Sequence, residues 1–337
     1  VSKKKLIALF GASVLSLGLA ACGESEEGGG NSSAAGEEET DFPTDDIRLI
    51  ISYAAGGPTD VAGRAVAAYM EKEFGVSVVA ENIEGASGAV GTAEMTRAEP
   101  DGHTIAMTTG SAVGRVPLIE EVGFQLEDVQ PLGVATFGPG LIMVREDSEY
   151  QTIDDLIEAA EENPASITVG TAGPQSPQHV ELVRMARDHD VEFQPVPFQG
   201  EAPAVTALLG ENVEACFCSN AQTTMAQVDA GEFRVLATGA PDRLPSMPDV
   251  PTLEESGFDG LVYGNSYFIL AAPAGTPDAV VAKLEAALKA ALEDPATVEV
   301  IGEERLLDPF MGADDLTSML EEEQKELKPI LEELFGK

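Results

Sequence analysis

Ser176 and His179 stand three residues apart in "GPQSPQHVEL" (173–182), the nearest approach in this chain to a hydroxyl nucleophile beside a base. Nothing around them resembles the strand-to-helix elbow that exposes a catalytic serine. Pro177 instead marks Ser176 as a helix cap, because proline suits a first helical position where its missing N–H costs nothing. A surface hydrolase is therefore the weaker reading. Another chemistry is repeated along the chain. "AAGGPTD" (54–60), "EGASGAVG" (84–91) and "GTAGPQSPQH" (170–179) are glycine-rich turns, each opening a helix. Gly56 and Gly57, like Gly85 and Gly88, lack a Cβ and let a ligand approach the backbone. Free N–H groups at a helix start, with the Ser87 and Ser176 hydroxyls, favour an anion. In the first turn Gly57 is the expected N-cap, Pro58 the first helical residue and Asp60 the third. Arg64 lies about one turn too far in, so the anion is expected to rely on N–H and hydroxyl donors. A small carboxylate fits this design; a plain helix start with no ligand is the alternative. No turn has the GxxxxGK[ST] pattern of a nucleotide site.

The elements that must position these turns alternate. Strands are expected in "IRLIISYA", "VSVVAENI", "HTIAMTTG", "QPLGVATF", "GLIMVRE", "SITVGTAG", "EFQPVPF", "VEACFC", "FRVLATG" and "YFILAAP". Helices are expected at 59–75, after the 84–88 turn, and at 152–162, 177–189, 201–210, 277–293 and 313–335. Such alternation predicts α/β layers with mixed, largely parallel sheets in two lobes. The special turns follow strand ends, where open α/β sheets bind ligands. They come from both halves of the chain, so one cleft between lobes would gather them. The expected division is 45–142 with 266–337 as lobe 1, and 143–265 as lobe 2.

Composition limits the partners. The chain has 337 residues, 59 acidic and 19 basic, a formal charge of −40. Nucleic acid is disfavoured, since phosphate backbones need a basic footprint. The acidic excess is spread along the chain and reads as a solvated surface suited to salt-rich surroundings. Lys3 to Lys5, the apolar run 6–19 and "LAAC" (19–22) form a leader that ends at Cys22, the expected lipidation site, as in a bacterial lipoprotein. Residues 22–44 read as a flexible acidic Gly/Ser tether. Cys216 and Cys218 share one strand face; free buried thiols are expected rather than a disulfide or a zinc site. No metal and no cofactor are expected.

The chain resembles a known family, the tripartite tricarboxylate transporter receptors, also called Bug extracytoplasmic solute receptors. The likeness rests on "IRLIISYAAGGPTDVAGR", "VVAENIEGASGAVGTAEM", "PDGHTIAM", "PVPFQGEAPAVTALLGENVEACF", "LPSMPDVPTLEESGF" and "FILAAPAGTP", in order from about Phe42 to the C-terminus. It implies a two-lobed flytrap receptor for small organic acids, often di- or tricarboxylates. It implies one large and one small membrane subunit as partners, and a monomer lipid-anchored outside the cytoplasm. A receptor of the same fold that serves a sensor kinase is the alternative. Carried over, the ligand-binding positions are Ala54, Ala55, Gly56, Gly57, Pro58, Thr59 and Asp60; Gly85, Ala86, Ser87 and Gly88; Thr109, Gly110 and Ser111; Ser176 and His179; and Pro197, Phe198, Gln199 and Gly200. The chain departs from the family at Ser52-Tyr53, usually Pro-Phe; at Cys218-Ser219, often Asp-Asn; and at Tyr267, commonly Trp. Cys218 and Tyr267 thus stand at positions implied to meet the distal part of the ligand.

Overall fold

Alternate residues of a strand point to opposite faces, and both faces of this protein's first strand are apolar. Ile47, Leu49 and Ile51 join one buried cluster with Val66, Met70, Leu284 and Leu288. Ile50 joins another, with Ala93, Val113 and Leu320. A strand covered on both faces belongs inside a helix-flanked sheet, and each fully buried Ile or Leu contributes about 1.5–3 kcal/mol. The computed structural model describes residues 41–260 and 264–336; the leader, Cys22 and most of the tether lie outside the described residues.

In chain order the first group is β1 (Ile47–Ile51), α1 (Pro58–Phe74), β2 (Val78–Asn82), α2 (Ala89–Thr96), β3 (Thr104–Thr109), α3 (Gly110–Gly114), α4 (Val116–Ile119) and β4 (Val129–Gly138). The chain then crosses to β5 (Gly140–Arg145), α5 (Ile153–Glu162), β6 (Thr168–Thr171), α6 (Pro177–His189), β7 (Gln194–Pro197), α7 (Glu201–Leu209), β8 (Ala215–Ser219), α8 (Gln222–Asp229) and β9 (Phe233–Thr238). It returns through β10 (Ser266–Pro273), α9 (Asp278–Glu293), α10 (Pro295–Ile301) and α11 (Ala313–Phe335).

The strands form two five-stranded sheets, ordered β2-β1-β3-β10-β4 and β7-β6-β8-β5-β9. β1 pairs in parallel with β2 and β3, and β6 with β7 and β8. β10 is antiparallel to both β3 and β4, as β5 is to both β8 and β9. Each sheet therefore has a single reversed strand next to its edge, and both reversed strands directly follow a crossing. The mixed, largely parallel α/β expectation holds. Gly140 to Ile142 pair with β8 and β9 in the second sheet.

The two crossings run side by side. Asn265, almost fully buried, accepts from the Gly140 N–H at 3.0 Å and donates to the Gly239 carbonyl at 2.6 Å. A Cβ on Gly140 would lie 2.6 Å from the Gly264 carbonyl oxygen and 2.7 Å from the Phe217 ring. Only glycine allows that approach.

On β8, Ala215 and Phe217 face one cluster while Cys216 and Cys218 face another. The two sulfurs are joined in a disulfide, with Cα atoms 5.8 Å apart. This corrects the expectation of free thiols: the shared strand face that hid both side chains also set them against each other.

Candidate functional site

The first turn forms as its residues dictate. Gly57 is the N-cap of α1 and Pro58 its first residue, and no side chain caps the helix. Asp60 reaches back: its Oδ2 accepts the Gly56 N–H at 3.0 Å. Its Oδ1 accepts from Arg64 Nε at 2.8 Å and from Asn82 Nδ2 at 2.9 Å. Asn82 also donates to the Tyr53 carbonyl at 2.9 Å. Burial alone would raise the Asp60 carboxyl, but the Gly56 N–H, Asn82 and Arg64 outweigh it and hold the group below its ordinary value. Asp60 is thus taken up within the chain, fixing the turn, and Arg64 is neutralised in the same network.

Tyr53 ties three expected loops together. Its hydroxyl donates to the Ser87 carbonyl at 2.6 Å and meets Thr109 Oγ1 at 2.9 Å. With its one proton on Ser87, it accepts from Thr109, whose oxygen caps α3 by accepting the Ala112 N–H. Burial raises the phenol, against the Thr109 bond, so it stays a donor. Gly88 has φ +92°, and a Cβ there would lie 2.7 Å from the Tyr53 ring. Ala86 and Ser87 are also left-handed, at φ +45° and +53°. Gly110 is buried and Ser111 half-buried at the start of α3; Ala54 and Ala55 are exposed.

The second sheet gathers the other expected loops. Ser176 caps α6, accepting the His179 N–H at 3.2 Å and donating to the Gly173 carbonyl at 2.8 Å. The His179 ring turns instead to Thr171, Nδ1 to Oγ1 at 3.0 Å. Burial pushes the imidazole down, so it is neutral at pH 7. Serine and imidazole therefore do not form a nucleophile–base pair. Phe198 and Gly200 donate backbone N–H groups to Thr171 and Ala172, fastening the Pro197–Gln199 turn to the end of β6. Tyr267, buried, has its hydroxyl 3.4 Å from Asn265 Nδ2, beside the crossings. Cys218 is fully buried in its disulfide.

A cavity of about 350 Å³ opens where the first turn meets elements of both sheets. Gly56, Pro58, Val61 and Ala62 line it from the start of α1, Thr136 from β4, and Ala221, Gln222 and Thr223 from the start of α8. Val300, Ile301 and Arg305 complete it. Of the expected positions only Gly56 and Pro58 take part. The volume falls in the range of small-molecule pockets, which are mostly apolar with a few placed polar groups.

Arg305 was not expected here. Its guanidinium carbon lies 5.9 Å from the Phe268 ring centroid, and its Nε is buried without a hydrogen-bond partner among the described residues. Burial lowers its pKa, opposed by Glu304 and Glu201. Glu201 is itself raised by burial, against its bonds to Ser219 and the field of Arg305. Its carboxylate accepts from the Ser219 N–H and, at 3.0 Å, from Ser219 Oγ.

Two mixed sheets joined by paired crossings, with special turns after strand ends, define a solute-binding protein of the periplasmic kind. Residues 62–335 match the family described as tripartite tricarboxylate transporter family receptor, TctC. A UPF0065 protein from the gbd 5′ region of Cupriavidus necator is 32% identical over 87% of this chain and 88% of its own length. BugT of Bordetella pertussis is 27% identical, covering 88% and 86%. Among solved structures, a TctC solute-binding protein from Polaromonas superposes with TM-score 0.76 at 27% identity, over 87% of this chain and 99% of that one. MatC of Rhodopseudomonas palustris, with bound malate, gives 0.64 at 26%, covering 86% and 100%. A second R. palustris protein, with adipate, gives 0.65 at 26%, covering 88% and 99%. The chain belongs to the tripartite tricarboxylate transporter receptor family. It is a solute-binding receptor, not an enzyme, and membership implies an extracytoplasmic location.

Proposed function

We propose that this receptor captures a small di- or tricarboxylate between its two sheets and delivers it to a transporter with one large and one small membrane subunit. The observation that carries the reading is the uncapped start of α1 at a cavity lined from both sheets. The Gly56 N–H is already held by Asp60 and Pro58 has none, so the Gly57, Thr59 and Asp60 N–H groups are those that complement a carboxylate, and charge-assisted bonds of this kind contribute about 1.5–3 kcal/mol each. Malate and adipate in the two R. palustris relatives support the ligand class. In this reading the lobes expected at 45–142 with 266–337 and at 143–265 hinge at the crossings, with the first boundary moved back to Pro139 because Gly140 to Ile142 pair within the second sheet. Closure brings the loops of Thr109, Ser176, His179 and Phe198 toward the ligand, and Asp60 shapes the turn. The protein is a monomer held at the membrane by lipid on Cys22.

A thermal-shift screen of the parent against di-, tri- and monocarboxylates, at low and high salt, tests the ligand class. Stabilisation by at least one dicarboxylate or tricarboxylate at both salt levels is expected; a panel without any shift removes the carboxylate reading. Cys22→Ser should release the protein from the membrane fraction, and unchanged membrane retention would remove the anchor.

A further inference from the structure

Among the described residues, every arginine except Arg97 and Arg305 pairs with a carboxylate. In a chain with 59 acidic residues, a cation left without one calls for an explanation. Arg97 is exposed, so water solvates it. Arg305 is half-buried, lines the cavity that also takes Gly56 and Pro58, and keeps a buried Nε without a partner. The Nε is closed to solvent, so a ligand carboxylate would meet the terminal nitrogens of the guanidinium.

Its surroundings keep it available. The Phe268 ring packs against the guanidinium, holding the charge in place as cation–π contacts do. Two acids act on Arg305 through their field, Glu304 and Glu201; neither makes an ion pair with it among the described residues, and Glu201 is held by Ser219. The cavity wall between polar groups is apolar: Pro58, Val61, Ala62, Val300 and Ile301. Val61 and Val300 are more exposed than most large apolar side chains of this protein. Such a wall suits a short methylene chain, and a planar guanidinium matches a carboxylate bidentately.

We infer that Arg305 is a specificity-determining residue that binds the second carboxylate of an aliphatic dicarboxylate whose first carboxylate lies at the Gly56–Pro58 turn. The inference rests on the carboxylate-receptor reading and narrows it to acids with two charged ends joined by an apolar body.

The test is calorimetric titration of the full chain and its Arg305→Gln and Arg305→Lys variants, each checked for folding by circular dichroism. The probes are adipate against hexanoate and succinate against butyrate, pairs of equal chain length. The parent should bind at least one dicarboxylate about tenfold or more tightly than its matching monoacid. Arg305→Gln should lose that preference, with dicarboxylate affinity falling about tenfold and monoacid affinity little changed. Arg305→Lys should keep part of the preference, since it retains the charge but not the fork. If Arg305→Gln does not fold, Arg305→Lys decides: a preference equal to the parent's means the guanidinium makes no bidentate contact and overturns the inference. An unchanged preference in Arg305→Gln, or equal loss for both acids of a pair, also overturns it while leaving the carboxylate reading intact. A parent that binds none of the four acids overturns the inference, while the carboxylate reading is decided by the wider acid panel.

Discussion

At the scale of single residues, the first turn was legible because its rules are local. Gly57, Pro58 and Asp60 take the cap, first and third helical positions that their chemistry predicts. What Asp60 does there was not legible. Its partners Asn82 and Gly56 meet it only through the β1–β2 pairing and the return of the turn. Tyr53 escaped for the same reason: its hydroxyl serves Ser87 and Thr109, loops that come together only in the fold. His179 was expected near the ligand, and its burial carries a consequence for pH. The folded ring titrates below the ordinary histidine value of about 6.5, whereas the unfolded ring titrates there. Below that pH the unfolded state binds more protons, so stability is full above about pH 6.5 and declines as pH falls toward the folded value. His179→Gln should flatten the decline between about pH 7 and 5, measured by urea unfolding across pH. Parallel profiles for parent and variant would show that the imidazole is not buried as a neutral group.

At the scale of elements every strand was legible, the central ones because coverage on both faces leaves long apolar runs, although the edge strands β2 and β7 are largely uncovered. The long helices were equally plain. α3, α4, α8 and α10 were missed; they span four to eight residues, too short for an apolar period to show. α10 does carry a start signal, Asp294 capping and Pro295 at the first position. The consequence falls on the site, since α8 and α10 line the cavity and Arg305 follows α10. The Glu303 and Glu304 beside it hide it in an acidic run. α11 plays another part. Its Glu323 pairs with Arg115 at the end of α3, both almost fully buried. One turn on, Glu326 meets Arg184 of α6 at 3.0 Å, and Leu327, Ile330 and Leu331 pack with Val180 of α6 and Ile119 of α4. The last helix thus bridges the elements of both sheets. Glu323→Gln removes the carboxylate from a buried ion pair and should cost about 3–5 kcal/mol in equilibrium urea unfolding. A loss below about 1 kcal/mol would mean that the pair behaves as a surface ion pair.

At the scale of the whole molecule, charge and two-sheet architecture dominate. A formal charge of −40 repels itself, and salt screens that repulsion over about 10 Å at 0.1 M. The melting temperature should therefore rise from dilute buffer to molar NaCl; a flat or falling curve would remove the salt-adapted reading of the acidic surface. The two sheets repeat one order, each with one reversed strand after a crossing, and the proposed capture places the solute between them. The most direct test of that capture is a calorimetric titration of parent and Gly57→Val with the strongest binder from the acid panel. Gly57 has φ −81°, and an added Cβ would meet only the Ala54 carbonyl, at 3.6 Å. The fold thus has room for a Cβ at this cap, between the cavity-lining Gly56 and Pro58, and in the proposed capture the added branches would crowd the carboxylate. The account predicts a folded variant that binds at least about tenfold more weakly, a loss of about 1.4 kcal/mol. A folded variant with the parent's affinity would contradict it, and "AAGGPTD" would then be no more than the start of a helix.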